Sequence, residues 1–321
     1  MKCIYCETSL NGSGETSVSS KEHVIQEALG GTGETTTTDC CKICNSNLGT
    51  EIDAPFVDSF LMKMLRVRHE IKSKKGKLPS ISFDAQSTSM EKDTVVTLTA
   101  GPELDISIKP QVDRRKINEN SEVINVSASP QMAEEIYKGI LRKGNLKGQI
   151  LRTTSGDVLS NLTEVLDSGS SEQIGEVKGE LIVNLESIVR GHSKIAFGFA
   201  HLLLGPSWTF SENAATLRSA AVGKGNFNSE IKSTIKGAPK EMRQMFKSAE
   251  NDTDRHHLIA ILPYENNLYV IVSLFGGNAG SYMFNIGKIS DTFQNELIKK
   301  SALFLDPKSK QAEWFGLKDI L

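Results

Sequence analysis

The sequence has no run of 18 apolar residues, so no segment reads as a membrane-spanning helix. Its opening, MKCIYCETSL, has one lysine and no long apolar stretch, so no secretory signal is read there and a cytoplasmic protein with no membrane partner is expected. Neither sign of charge dominates. The 37 basic and 39 acidic residues give a formal net charge of −2, so any affinity for a polyanion has to come from local clusters. Aromatic residues are only 6% of the chain and none cluster beside basic ones, which leaves single-strand recognition by base stacking without support. There is no internal repeat and no heptad run, which excludes solenoids and long coiled coils. Cysteine is absent beyond position 44.

What is present is a chain of 321 residues, 38% hydrophobic and 24% charged. That is long enough for two domains of about 100–200 residues and apolar enough to bury a core. All five cysteines, Cys3, Cys6, Cys40, Cys41 and Cys44, fall at the N-terminal end. In a reducing compartment such a cluster is not expected to be disulfide-bonded. Cys3-x2-Cys6 and Cys41-x2-Cys44 have the spacing of metal knuckles, in which a tight turn aims both sulfurs at one ion. Two knuckles complete the four-sulfur shell of a structural zinc ion, whereas buried free thiols would leave the pairing unexplained. Cys40 is left over. It could replace Cys41, but its x3 gap to Cys44 is the less usual spacing.

The first histidine lies between the knuckles, in Lys21-Glu22-His23-Val24-Ile25-Gln26-Glu27-Ala28-Leu29-Gly30-Gly31, and Asn45 directly follows the last cysteine. A shared zinc ion would draw the ends of this segment together and bring Glu22-His23 towards Asn45. Over about residues 1–75, the order CxxC, then EHVIxEALGG, then CxxCNxxxG resembles the zinc-stapled branch of the HNH endonucleases. The resemblance implies a ββα-metal fold, in which a short hairpin and a helix grip one divalent ion. It implies His23 as the general base that takes a proton from water, with an ordinary pKa near ~6.5 that suits neutral pH. It implies Glu22 and Asn45 as ligands of a catalytic Mg2+ or Mn2+ ion that stabilises charge on the scissile phosphate. The zinc would do no chemistry. Many family members also carry an asparagine that braces the base, but residues 24–40 contain none, and a threonine or Asp39 is the substitute available. Asp53 reads first as an N-cap, with Pro55 in the following turn, and second as a further ligand.

Residues 55–73 read as one helix with an apolar stripe of Phe56, Phe60, Met64, Val67 and Ile71. From 61 to 80, Lys63, Arg66, Arg68, Lys72, Lys74, Lys75 and Lys77 face one acid, Glu70. Beside a phosphodiester site this stretch reads as a phosphate-contacting patch, with Lys63, Arg66, Arg68, Lys72, Lys74 and Lys75 as the nucleic-acid contacts. Such contacts position a duplex without reading its sequence.

Beyond residue 79 the chemistry fades. Strands are expected at 93–100 and 103–109 with a Gly101-Pro102 turn, at 123–127 and at 180–184. Helices are expected at 131–143, at 185–204 (stopped by Gly205-Pro206), from Ser211 to about Val222, and near 290–303. A three-stranded meander is expected over 257–263, 267–275 and 281–287. His256 and His257, at a strand start, read as one inward and one outward residue.

The fold class expected is α+β. An N-terminal zinc-stapled ββα-metal module, residues 1–78, precedes a mixed α+β regulatory or recognition region, residues 79–321, with a division near 150–175. The function expected is metal-dependent endonuclease hydrolysis of DNA, duplex rather than single-stranded, in restriction or defence against foreign DNA. A small-molecule or protein trigger for the C-terminal region and a homodimer are the further partners considered. The rival expectations are a zinc-stapled nucleic-acid reader without catalysis and an RNA-cleaving effector.

Overall fold

The computed structural model describes residues 1–12, 16–73, 75–87, 95–100, 104–118, 121–143, 151–152, 158–159, 164, 177–178, 184–223, 235–237, 253–264, 266–288 and 297–320. The fold mixes helices and sheets, as expected. By its contacts the chain divides into two compact units, one formed by Met1–Pro79 with Val183–Leu321 and the other by Ser80–Ile182. This partition differs from the expected bounds, 1–78 and 79–321 with a division near 150–175. The chain leaves the N-terminal module at residue 79 and returns to it after residue 182, because residues 183–321 share its core.

In the first unit, β1 (Ser19–His23) and β2 (Thr36–Cys41) form an antiparallel hairpin. The pairing shifts between Ser20↔Cys40 and Glu22↔Thr37, a bulge that places an extra residue on β2. Helix α1 (Lys42–Leu48) begins directly at the end of β2, with Cys41 as its N-cap. A π-helical turn (Gly49–Asp53) and α2 (Ala54–Val57) follow, and α3 (Phe60–Arg68) starts again after a break.

The break corrects the single helix expected over 55–73. Ser59 is extended and its hydroxyl accepts the Met62 N–H (3.4 Å), which starts a new helix in a new phase. The buried face is therefore Met62, Leu65 and Arg66, while Met64, expected in the apolar stripe, is exposed.

The long helix α5 (Leu185–Thr209) is bent at Gly205, whose φ of 72° no L-residue adopts readily, and Pro206 opens its last turn. Helix α6 (Glu212–Ala221) follows. A six-stranded antiparallel sheet completes the unit, in the order β11 (Ile235–Gly237), β14 (Ser281–Lys288), β13 (Asn267–Ser273), β12 (His257–Tyr264), β15 (Ala302–Asp306) and β16 (Gln311–Phe315). A short α7 (Leu317–Ile320) ends the described chain. The meander appears as expected. The helix expected near 290–303 does not run to its end: Ala302 and Leu303 belong to β15, whose alternating burial seats Leu303 and Leu305 in the core.

The second unit holds β3 (Ile81–Ser87), β4 (Val95–Ala100), β5 (Leu104–Ile108), a β6–β7 hairpin (Gln111–Asn118, Ser121–Ser127), α4 (Pro130–Lys143) and the short strands β8 (Leu151–Arg152), β9 (Val158–Leu159) and β10 (Val177–Lys178). One sheet runs β10-β3-β4-β5. The strand expected at 180–184 lies outside the described residues, apart from Asn184, which caps α5 by accepting the Ser187 N–H (3.1 Å). Among the described residues no helix is long and apolar enough to cross a membrane.

Candidate active site and metal centre

Cys3 and Cys6 stand on an N-terminal turn that is pinned to β2 by the Ile4 N–H bond to the Asp39 carbonyl (2.8 Å). Cys41 ends β2 and Cys44 lies in the first turn of α1, so the hairpin and the helix present both knuckles to one point. The four sulfurs lie within 4.8 Å of one another. Cys6 Sγ and Cys41 Sγ are 3.8 Å apart, the edge of a tetrahedron whose metal–sulfur bonds are about 2.3 Å. The Cys41 and Cys44 amides donate to Cys3 Sγ and Cys41 Sγ, each at 3.3 Å. Hydrogen bonds from Cys40 and Cys44 hold Cys3 far below the ordinary thiol value, while the same contact with Cys3 pushes Cys40 and Cys44 up. These four cysteines are positioned to bind a metal, and an all-sulfur tetrahedral set suits zinc. Cys40 is not one of them; its thiol donates to the Cys41 carbonyl at 3.4 Å.

The staple brings Asn45 onto β1, as the spacing implied. Its amide Nδ2 donates to Ser20 Oγ (2.7 Å) and to the Lys21 carbonyl (2.9 Å). His23, the last residue of β1, is half-buried and pairs with Thr36. Asp39 does not supply the missing brace in the expected way, since its carboxylate meets His201 Nε2 at 3.2 Å. His201 Nδ1 is in turn 2.8 Å from Thr209 Oγ1. Burial keeps His201 below its ordinary value, with Asp39 pulling the other way.

Glu22 is where the structure departs most from expectation. Its side chain is buried, and its carboxylate is ion-paired to Lys194 of α5. The same ammonium lies 2.9 Å from Asp53 Oδ2 and donates to the His23 main-chain carbonyl at 2.8 Å. Asp53 Oδ1 accepts from Gln26 Nε2 at 2.6 Å. Asp53 precedes α2 but its side chain does not cap it, which corrects the N-cap expectation. Burial lifts the Glu22 carboxyl above the usual carboxylate range, and Lys194 draws it part of the way back. Burial also acts against the charge on Lys194, but Asp53 and Glu22 outweigh it and hold the ammonium above its ordinary value. Two carboxylates and one main-chain carbonyl surround the ammonium, the partner set of a buried, hydrogen-bonded ion pair.

The reach of Lys194 follows from how α5 is packed. Gly191, Lys194, Gly198 and His201 recur every three or four residues on one face. A Cβ on Gly191 would stand 2.2 Å from the Phe56 ring, and one on Gly198 2.8 Å from Val24 Cγ2. The two glycines let the helix lie directly on the N-terminal module. The adjoining flank, including Ile188, Ile195 and Phe199, belongs to the same continuous core as the six-stranded sheet. The sheet side also holds the module itself. His257, fully buried, places Nε2 3.0 Å from the Leu29 carbonyl and accepts the Phe275 N–H at its Nδ1 (3.1 Å), which requires the neutral ring. Its neighbour His256 is half-buried.

The basic stretch divides. Arg66 is 4% exposed, which removes it from a phosphate-contacting surface; the new phase of α3 turns it inward beside Met62 and Leu65. Burial lowers its guanidinium below the ordinary value, against the pull of Asp58. Lys63 is half-buried and 3.6 Å from Asp58, and exposed Arg68 is 3.7 Å from Asp254. Lys72 and Lys75 are exposed, and Lys74 lies outside the described residues. A cavity of about 180 Å³ is lined by Arg68, His69, Glu70, Arg255 and Lys308. Its cations are paired: Lys308 with Glu70 at 2.6 Å and Arg255 with Asp306 at 2.9 Å.

The HNH endonuclease family model matches residues 3–61, the span from the first cysteine to the start of α3. The N-terminal module is of HNH type. No curated protein and no solved structure matches the chain. The HNH module implies nuclease-type chemistry and nucleic-acid binding. Its four cysteines are the one group of three or more His, Cys, Asp and Glu donors, among the described residues, that is positioned around a common metal. In this arrangement the Glu22 carboxylate is engaged by an ammonium, whereas Asn45 is held on β1 through its amide nitrogen, which leaves those bonds clear of the oxygen expected as the ligand atom. Lys194 was legible in principle. A lysine in GHSKIAFGFAHLL interrupts an apolar stretch, and such a lysine has to find carboxylates or leave the core.

Proposed function

We propose that the protein is an endonuclease that hydrolyses phosphodiester bonds in duplex DNA, with His23 as general base, acting in restriction or defence against foreign DNA. The observation that carries the reading is the match of residues 3–61 to the HNH endonuclease family, with His23 at the end of a cysteine-stapled hairpin against α1. A neutral His23 ring takes a proton from water, the resulting hydroxide attacks phosphorus, and the P–O bond to the leaving sugar oxygen breaks, that oxygen taking up a proton. Exposed Arg68, Lys72 and Lys75 contact the phosphate backbone and set the position of the duplex. Of the two ligands that the resemblance gives a Mg2+ or Mn2+ ion, Glu22 is engaged by Lys194 and Asn45 keeps its amide oxygen outside its bonds to β1.

One observation favours a second reading, a zinc-stapled nucleic-acid reader without catalysis: the carboxylate that would hold the ion is already held by Lys194. Plasmid cleavage by the full chain separates the two. Nicking or linearisation with added Mg2+ or Mn2+, lost in His23→Ala with DNA binding retained, is the result expected of the nuclease. Plasmid bound but intact under every divalent ion would replace it with the reader.

A further inference from the structure

We infer that the cation belonging to the Glu22–Asp53 carboxylate pair is the protein's own Lys194 ammonium, and that a divalent ion at Glu22 and the ammonium exclude one another. The oxygen set is that of a cation site: a Glu22 carboxylate oxygen, Asp53 Oδ2 at 2.9 Å and the His23 carbonyl at 2.8 Å converge on Lys194 Nζ. Two carboxylates and a main-chain carbonyl are what a hard divalent ion also selects. The ammonium reaches them from a helix 141 residues beyond Asp53 in sequence, and Gly191 and Gly198 bring that helix into contact with the module. Nothing in the arrangement lets the two cations share. The Lys194 side chain is fully buried, and Glu22 is 2% exposed at its side chain. Only Asp53, 22% exposed at its side chain, reaches water, and at this burial a divalent ion and an ammonium a few ångström apart repel strongly. Lys194 leaves α5 between Gly191, which meets the Phe56 ring, and Gly198, which meets Val24, the stretch where the helix lies tightest on the module. The inference rests on this geometry and not on the nuclease reading, so its test reads ion binding rather than cleavage.

The probe is Mn2+ itself, followed by electron paramagnetic resonance on zinc-loaded full-length protein, with thermal melting in parallel. Wild type is expected to bind no Mn2+ in a manner that Glu22→Gln changes. Lys194→Ala opens the seat and leaves two carboxylates unpaired. It is expected to melt several degrees lower, to bind Mn2+, and to recover most of the lost melting temperature on Mn2+ addition. Lys194→Ala combined with Glu22→Gln loses that recovery. A Mn2+ site in wild type that Glu22→Gln abolishes would overturn the inference, as would a folded Lys194→Ala protein that ignores Mn2+. If Lys194→Ala does not fold in either condition, the wild-type and Glu22→Gln titrations decide it alone.

Discussion

The cysteine cluster and the Glu22 site sit in the same module, yet they are closed by different parts of the chain. The cluster is complete within residues 3–44, with ligands from one turn, one strand end and one helix start. The Glu22 site starts in the same hairpin, but the group that closes it arrives on α5 at Lys194. One site is a local staple that requires only a metal. The other requires the returned C-terminal segment to be folded in place, so the position of α5 and the charge around His23 are coupled.

Metal removal is the strongest way to sharpen this contrast. A structural zinc of this kind contributes on the order of 10 kcal/mol of apparent binding energy, and that energy is folding energy. Because the module shares its core with residues 183–321, stripping the metal, or Cys41→Ser, is expected to unfold the whole first unit in one transition. Circular dichroism melts with and without a strong chelator check this. Melts that coincide would rule out the staple, and loss confined to residues 1–50 by hydrogen exchange would break the coupling.

Next in size is the contact that seats α5. Gly198→Ala sets a methyl group against Val24 in a closed interface and is expected to cost about 1–3 kcal/mol in urea unfolding. An unchanged midpoint would mean that the helix is not pressed on the module.

The joint on the sheet side is pH-sensitive. Burial lowers His257 to about 3, and it lowers His192 of α5, whose ring meets Tyr282 of β14 edge-on, to about 4. In the unfolded chain both protonate near ~6.5. Protons therefore bind the unfolded state first as pH falls below that value. Stability is full above ~6.5 and is lost through the window down to the folded values, by about 1 kcal/mol per pH unit for each histidine. Urea unfolding between pH 7 and 5 measures the slope, and His257→Phe is expected to flatten it. An identical slope in the variant would place the dependence elsewhere.

The smallest effects belong to the basic stretch. Lys72→Ala and Lys75→Ala are each expected to lower the salt slope of DNA binding by about 0.9. Arg66→Ala, acting on a buried side chain, is expected to reduce stability and leave that slope unchanged. A reduced slope in Arg66→Ala would mean that α3 opens when DNA binds.

The same contrast explains what could be read from the residues. The knuckles, the hairpin with Asn45 beside it, the interruption at Gly205-Pro206 (expected as a stop and found as a bend) and the meander of β12 to β14 are short-range features, and each shows in spacing or turn chemistry. The break at Ser59 turned on one capping hydroxyl inside an otherwise continuous helical pattern, and it moved Arg66 from surface to core. The return of residues 183–321 to the N-terminal core, and with it the pairing of Lys194 with Glu22 and Asp53, depends on contacts more than 140 residues apart. No local period records such contacts. The isolated lysine in the apolar stretch of α5 showed that a partner was needed, but not which one.

The most direct measurement is a double-mutant cycle in urea unfolding at neutral pH, using Glu22→Gln, Lys194→Met and the two together. Lys194→Met alone strands buried Glu22 and is predicted to cost about 3–5 kcal/mol. Adding Glu22→Gln removes the stranded charge, so the cycle is predicted to give a coupling of about 2–3 kcal/mol between the two positions. Additive costs, with a coupling near zero, would show that Glu22 is not held by Lys194 and would return its carboxylate to the role of metal ligand.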